Sequence, residues 1–186
     1  VFVGRPKGAG VFPSSHRDSP CFLIIGSGAA GIACAESLRM LGFDGKIVVL
    51  SRESAVPYDR TVLTTTFYTA GEEGLLLRDP EYFKFTGVDL HLHEEVTSVD
   101  TGLKSVRCAS GSTFAYDKLL LATGASARRL GVEGEILSGV HHLRSLLDAR
   151  TLKSTFERAG SLLVIGGGFL GLEITFTASA CGFDVT

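Results

Sequence analysis

Three glycines, Gly26, Gly28 and Gly31, follow the apolar run Phe22–Ile25 in the spacing G-x-G-x-x-G. The run predicts a buried parallel strand, and the glycines predict a sharp turn into a helix. The first glycine permits the turn, the second lets a pyrophosphate approach bare backbone, and the third lets the helix pack closely. The helix start then offers N–H groups and a positive dipole end to phosphate. Because glycine-rich turns also occur for structural reasons, one motif leaves both interpretations open.

The motif recurs 140 residues further along the chain, within Leu162–Gly171. The match extends past the glycines, because Gly42–Asp44 and Gly182–Asp184 both read Gly-Phe-Asp at that same offset. Strand, turn, helix and the turn towards the next strand therefore repeat at identical spacing, which two unrelated glycine loops would not maintain. The sequence predicts two dinucleotide-binding starts.

The second predicted strand, Ile47–Leu50, ends in a polar tip. An acidic residue about 20 positions beyond the glycines commonly binds the adenosine ribose in such folds. Glu53 is the candidate here and Arg52 is placed to lie over the adenine, although a solvated surface pair is an equal interpretation. Beyond the tip, the proline, the aromatic residue and the arginine of Val56–Arg60 form either a cofactor clamp or a surface turn, and a run of threonines, Thr64–Thr66, follows them.

The intervening chain predicts elements that complete an α/β fold with a parallel sheet and a small antiparallel meander. The first helix is expected at Ala29–Leu41, with its small residues towards the sheet and Gly42 as its left-handed cap. Asp79 caps a short helix that Gly87 ends. The other expected elements are the meander strands Val88–Leu92, Val96–Asp100, Leu103–Cys108 and Thr113–Tyr116, a buried strand Lys118–Leu121, and a helix at about Ser145–Ala159.

Composition excludes several classes of function. The net charge of −2 gives no electrostatic case for nucleic acid, and no apolar run approaches the ~20 residues that span a bilayer. The cysteines lack C-x-x-C or C-x4-C spacing, so neither a zinc site nor a redox dithiol is predicted, and an intracellular setting, cytoplasmic or mitochondrial, is expected. Cys34 and Cys181 are expected to be buried. His91 and His93 are expected on one side of a strand, as a solvated face rather than a metal site.

The order of these motifs resembles the flavoproteins with two dinucleotide-binding domains. G-x-G-x-x-G, P-Y-D-R, a strand ending A-T-G, L-R-x-x-x-D-A and a second G-x-G-x-x-G occur in that order over Phe22–Thr186. The sequence is most similar to the branch with ferredoxin and rubredoxin reductases and apoptosis-inducing factor. The resemblance implies a Rossmann-like FAD-binding domain at 21–144 and the start of a second Rossmann-like, NAD(P)H-binding domain at 145–186. Residues 1–20 are rich in Gly, Pro and Ser and show no periodicity, which predicts a linker or disordered arm.

The resemblance also implies residue roles. Arg60 would reach the FAD and Val96 would offer backbone to the adenine, while Glu173 would lie near the nicotinamide carboxamide. Glu173 also has a structural interpretation, as an acidic residue in the first turn of a helix. The residues implied to hold FAD pyrophosphate or close over that cofactor are Gly26, Ser27, Gly28, Ala29, Ala30, Ala122, Thr123 and Gly124. The residues implied to hold NAD pyrophosphate are Gly166, Gly168, Phe169, Leu170 and Gly171.

Two departures from the family pattern bear on activity. Thr65 stands where the family has a lysine that pairs with the glutamate, so Glu173 is expected to be unpaired, with its pKa raised if it is buried. The family's later G-D segment, its dimerisation or C-terminal domain and the strand tip that separates NADH from NADPH are not found. We therefore expect the 186-residue chain to be a fragment and to bind FAD poorly by itself.

The function implied by the resemblance is oxidoreductase chemistry. A hydride would pass from NAD(P)H to FAD, and electrons would leave singly to an iron–sulfur protein or a quinone, because the chain lacks the dithiol that serves disulfide substrates. Two alternatives stay open at this stage. One is a nucleotide- and redox-responsive, apoptosis-related interaction module with little turnover, and the other is an inactive truncated product.

Overall fold

The computed structural model describes residues 19–65, 68, 71–156 and 160–186. Most of the predicted arm at 1–20 and the end of the helix expected at Ser145–Ala159 lie outside the described residues. The chain divides into two compact units, one comprising the residues up to Tyr58 with Leu77–Gly124 and the other Asp59–Leu76 with Ala125–Thr186. The domain boundaries expected at 20/21 and 144/145 stay a prediction.

A four-stranded parallel sheet forms the centre of the first unit, in the order β3-β2-β1-β7. The helices of this unit are α1 (Ala29–Met40) and α2 (Pro80–Phe85). Its strands are β1 (Cys21–Ile25), β2 (Lys46–Leu50), β3 (Val88–His91), β4 (Val96–Asp100), β5 (Ser105–Cys108), β6 (Thr113–Ala115) and β7 (Lys118–Leu121). Burial of the apolar strands β1 and β2 on both faces supplies the core, with Leu23, Ile24, Ile47 and Val49 at 0% exposure.

The antiparallel sheet has three strands, in the order β4-β5-β6. The segment expected as a fourth meander strand, Val88–Leu92, instead pairs in parallel with β2, with Ile47 opposite Val88. That assignment was wrong because a short alternating segment does not specify its partner, and the helix α2 before it supplies the crossover that a parallel strand requires. Strand β7 is half-exposed rather than buried, because it lies at the sheet edge with Leu121 64% exposed.

The histidine expectation also fails. His91 lies in β3, where its Nε2 is 3.1 Å from Asp89 Oδ1 and its ring packs edge-on against Phe114. His93 lies beyond the end of the strand, with φ at 61°. The two histidines therefore do not share one face of an extended strand. Among the described residues, no group of three or more His, Cys, Asp or Glu side chains is placed to hold a metal ion.

The second unit holds α3 (Leu146–Phe156), α4 (Phe169–Ala180) and the parallel pair β8 (Ser161–Leu162) and β9 (Asp184–Val185). Its core consists of Leu152 and Phe156 from α3 with Ile174 and Ala178 from α4. Cys181 is exposed rather than buried, because it follows the last turn of α4 as its C-cap, and Cys34 is half-buried. In the part of the chain that the structure describes, none of the helices combines the length and apolar character of a bilayer span.

Candidate functional site

The first glycine loop lies at the carboxyl end of β1, where the main chain passes very close to another strand end. Gly26 has φ at +111°, and its N–H donates to the carbonyl of Leu50 at 2.8 Å. A Cβ at this position would lie 2.1 Å from the carbonyl oxygen of Ala122, so no other residue fits. The loop and the segment that begins at Ala122, both implied to hold FAD, therefore meet at one edge of the parallel sheet.

Helix α1 begins at this loop without a side-chain cap. Its N-cap, Gly28, has extended backbone and accepts the first helical hydrogen bond from Ile32 N–H at 3.0 Å. A Cβ added to Gly28 would meet no heavy atom of the described residues within 4 Å. Helix α2, by contrast, is capped by Asp79, which accepts from the N–H of Glu81 at 2.8 Å. The start of α1 thus keeps N–H groups and space for an anion, as a pyrophosphate requires.

The tip of β2 presents a second group of polar side chains beside the loop. Ser27 Oγ donates to Ser51 Oγ at 2.8 Å, and Tyr58 Oη donates to Glu53 Oε2 at 2.6 Å. Tyr58 is itself buried, which fixes its hydroxyl. The sequence predicted Glu53 as the ribose ligand, but the two residues that orient this tip, Ser51 and Tyr58, were not identified from it. Ser51 directly follows the strand, and Tyr58 lies in the P-Y-D-R segment, so their positions in the sequence could have indicated them. Arg52 is exposed.

The second glycine loop repeats the first in detail. Gly166 has φ at +121°, and Gly168 is the uncapped N-cap of α4, accepting from Leu172 N–H at 3.0 Å. A Cβ on Gly171 would lie 2.0 Å from the Gly166 carbonyl oxygen, and a Cβ on Gly31 would lie 1.9 Å from that of Gly26. The predicted repeat is therefore a repeat of backbone conformation. The two residues after Gly168, Phe169 and Leu170, begin α4 and are exposed.

The remaining residues implied to touch FAD lie in different places. Val96 is the first residue of β4, opposite Cys108, and the pairing register shifts immediately after it. Arg60 belongs to the second unit, where its Nη1 donates to the carbonyl of Arg144 at 3.1 Å. Thr123 and Gly124 follow Ala122 and are exposed, as are Ala29 and Ala30 at the start of α1. The roles of these residues stay predictions.

Glu173 departs from both expectations for it. It is the fifth residue of α4, beyond the first turn, so the helix dipole does not account for it. Nor is it unpaired, since its Oε2 accepts a hydrogen bond of 2.5 Å from Thr64 Oγ1. Thr65, at the position of the family's lysine, is exposed. The expectation failed because it considered only a charged partner at one position and overlooked the hydroxyl of the preceding residue.

Comparison with known proteins agrees with this geometry. The profile of the pyridine nucleotide-disulphide oxidoreductase family matches residues 21–186. The chain belongs to this family. Members of the pyridine nucleotide-disulphide oxidoreductase family related to this chain are FAD enzymes that use NAD(P)H.

Individual members of the family show which of its proteins this chain is similar to. The chain is 42% identical over 166 residues to a rubredoxin-NAD(+) reductase of Pseudomonas putida, a match covering 88% of this chain and 43% of that protein. It is 38% identical over 166 residues to apoptosis-inducing factor 3 of Mus musculus, covering 88% of this chain and 27% of that protein. The chain thus spans less than half the length of these relatives.

A solved structure shows the same fold. The crystal structure of the ferredoxin reductase for the CYP199A2 system from Rhodopseudomonas palustris superposes with a TM-score of 0.84 at 34% sequence identity. The match covers 89% of this chain and 41% of the reductase chain. The α/β architecture expected from the sequence, with its parallel sheet and small antiparallel sheet, is confirmed.

Proposed function

We propose that this chain provides the FAD-binding site and the start of the nicotinamide-nucleotide-binding site of an FAD-dependent oxidoreductase. The glycine loops of these two sites, Gly26–Gly31 and Gly166–Gly171, are called the first and the second cradle. The enzyme would pass a hydride from NAD(P)H to FAD, and electrons onward to an electron-acceptor protein. The observation that carries the proposal is the pair of glycine loops, because both combine a positive-φ glycine, an uncapped helix start and a third glycine packed on the first. Two such loops serve two dinucleotides.

The residues of the chain would bind and orient, while the bound FAD supplies the redox chemistry. The N–H groups at the starts of α1 and α4 would hold the two pyrophosphates. Glu53, held by Tyr58, would accept from hydroxyls of the FAD ribose. Glu173 would accept a hydrogen bond from the nicotinamide carboxamide and so orient the ring. An iron–sulfur protein is the acceptor that we propose, because the relatives include reductases of rubredoxin and ferredoxin.

The two cradles can be tested separately with single methyl groups. Gly28 and Gly168 have φ values of −71° and −80°, and in the described part of the chain no heavy atom lies within 4 Å of a Cβ added to either. Alanine therefore leaves the fold intact while obstructing the approach of a phosphate. In the full-length protein, Gly28→Ala should lower FAD content. Gly168→Ala should keep the FAD absorbance but weaken NADH binding by at least about tenfold, since charge-assisted hydrogen bonds contribute ~1.5–3 kcal/mol each.

Gly167→Ala is the matched control. It lies next to Gly168, has equally open space, and corresponds in the first repeat to Ser27, which already carries a side chain. FAD content follows from the visible spectrum, NADH binding from titration, and turnover from steady-state NADH oxidation with ferricyanide or a ferredoxin. Full FAD content in Gly28→Ala, or unchanged NADH affinity in Gly168→Ala, would contradict the proposal.

A second candidate function is a nucleotide-responsive interaction module with little turnover. It is favoured by Thr65, which replaces the family's charged partner of Glu173 by an exposed neutral residue. The same steady-state measurement separates the two functions. Fast NADH oxidation supports the reductase, whereas tight NADH binding with negligible turnover supports the module.

A further inference from the structure

Thr64 contacts helix α4 through both its side chain and its main chain. Its Oγ1 donates to Glu173 Oε2 at 2.5 Å, and its carbonyl oxygen accepts from Thr177 Oγ1 at 2.7 Å. Glu173 and Thr177 are four positions apart and so lie on one face of the helix. Thr64 is 1% exposed and Glu173 is half-buried, so their contact is partly shielded from solvent.

The segment that carries Thr64 is held in place independently of α4. Asp59 Oδ1 accepts from both the N–H and the Oγ1 of Thr61, at 2.8 Å and 2.7 Å, and starts the 3-10 turn Arg60–Val62. The N–H of Asp59 donates to the carbonyl of Leu75 at 2.8 Å, and Leu63 is buried. The main chain leading to Thr64 is therefore held by contacts other than those with α4.

The first repeat shows that this contact is not a general property of the fold. The residue equivalent to Thr177 in α1 is Ser37, whose Oγ donates to the carbonyl of Ala33 in its own helix at 2.7 Å. Thr177 instead reaches out of α4 to Thr64. Ala33 itself, which has no polar side-chain group, is the equivalent of Glu173. The arrangement thus belongs to the second cradle specifically.

We propose that Thr64 is a positioning residue that holds Oε2 of Glu173 with a neutral hydroxyl and leaves Oε1 for the nicotinamide carboxamide. This inference rests on the proposed function, because it assumes that Glu173 meets the nicotinamide. The hydroxyl takes over the orienting role that the resemblance assigns to a lysine, and it does so without adding a positive charge.

A purely structural role for Thr64 would depend on its volume rather than on its hydroxyl. Valine has nearly the shape of threonine but no hydroxyl, and serine keeps the hydroxyl without the methyl group. Thr64→Val and Thr64→Ser therefore separate the two roles. Thr151→Val is a matched control in the same unit, since the Thr151 hydroxyl donates within α3 to the carbonyl of Leu147.

The test compares two ligands of the FAD-loaded full-length protein by calorimetry. NAD⁺ carries the nicotinamide, and ADP-ribose lacks it. Thr64→Val should weaken NAD⁺ binding by about 3–10-fold, the equivalent of one lost hydrogen bond, and leave ADP-ribose binding unchanged. Thr64→Ser should restore most of the NAD⁺ affinity. Equal losses for both ligands, no loss for either, or Thr64→Ser behaving like Thr64→Val would each overturn the proposal.

A second measurement needs no nucleotide. Carbon-13 NMR of labelled glutamate at constant neutral pH follows the signal of the Glu173 carboxyl carbon, whose chemical shift depends on the hydrogen bonds that the carboxyl accepts. Thr64→Val should move this signal, whereas Thr64→Ser and Thr151→Val should leave it close to its position in the unmodified protein. An unmoved signal in Thr64→Val overturns the proposal. If the unmodified protein binds neither NAD⁺ nor ADP-ribose, the proposed function fails, while this spectrum still shows whether Thr64 holds Glu173.

Discussion

Hydroxyl groups orient one acidic candidate side chain in each of the two units. Glu53 accepts from Tyr58 at 2.6 Å and Glu173 accepts from Thr64 at 2.5 Å. Both donors are buried, at 5% and 1% exposure, so their positions are set by packing. A hydrogen bond from a neutral hydroxyl restricts the orientation of a carboxylate without itself adding a positive charge beside it.

The cysteines provide a pH-dependent prediction at the scale of single residues. Burial, together with a hydrogen bond involving Glu94, raises the pKa of Cys108 to about 11, and this side chain is 2% exposed. At pH 8 only about one thiol in a thousand is then ionised, and the thiolate is the reactive form. We expect iodoacetamide to modify Cys108 far more slowly than the exposed Cys181, with a Cys108 rate that rises as the pH approaches 11.

Mass spectrometry of the alkylated peptides measures both rates in one sample. Unfolding the protein in urea is the control, because it should make the two cysteines react alike. Equal rates for Cys108 and Cys181 in the folded protein at pH 8 would show that burial does not suppress ionisation of Cys108.

At the scale of elements, one arginine connects the ends of two helices. Arg39, in the last turn of α1, donates to the carbonyls of Thr86 and Gly87 just after α2, each at 2.8 Å. It also donates to the carbonyls of Phe43 and Gly45 between α1 and β2, at 2.7 Å and 2.8 Å. The guanidinium thereby pairs with main-chain carbonyls in the two segments that follow these helices.

Removal of this guanidinium should destabilise the first unit. Arg39 is only 9% exposed, and Arg39→Met removes these four hydrogen bonds to carbonyls, two of them buried and two partly buried. The expected cost is about 2–4 kcal/mol in the free energy of unfolding. Urea unfolding followed by circular dichroism measures this change. Arg107→Met, at an exposed position of β5, is the control and should change stability by less than about 0.5 kcal/mol. A similar small change in Arg39→Met would mean that water replaces the guanidinium at these carbonyls.

At the scale of the whole chain, the two units differ in how much sheet surrounds their glycine loops. The loop at Gly26 follows a central strand of a four-stranded sheet, whereas the loop at Gly166 follows a strand of a two-stranded pair with two residues per strand. The central strands β1 and β2 are buried on both faces, but β8 and β9 are only partly buried. Local stability should therefore be unequal along the chain.

Hydrogen–deuterium exchange of the 186-residue chain should reveal this inequality. Backbone amides of β1 and β2 should exchange slowest, while those of β8 and β9 should exchange early, since few buried contacts oppose their local opening. Mass spectrometry of peptides, corrected for intrinsic exchange rates with an unfolded sample, gives the comparison. Protection of β8 equal to that of β1 would contradict the expected difference.

The sequence by itself determined the features that depend on local backbone chemistry. The repeat of Gly26, Gly28 and Gly31 predicted two strand–turn–helix units, because positive φ and close helix packing admit no other residue type at the first and third positions. The cap at Asp79 was predicted because its side chain can accept from a helix N–H, and the left-handed Gly42, with φ at 83°, because glycine tolerates positive φ. These signals lie within a few residues of the structures that they specify.

Tertiary structure alone decided which distant segments meet. Val88–His91 joined the parallel sheet rather than the meander, and Glu173 found its partner in Thr64, 109 residues earlier in the chain. The sequence of a short alternating strand does not specify which strand it pairs with, and the sequence around a buried threonine does not specify which group accepts its hydrogen bond. Both pairings arise when the segments pack, because packing brings together hydrogen-bonding groups that are far apart in the sequence. Local sequence patterns therefore do not predict them.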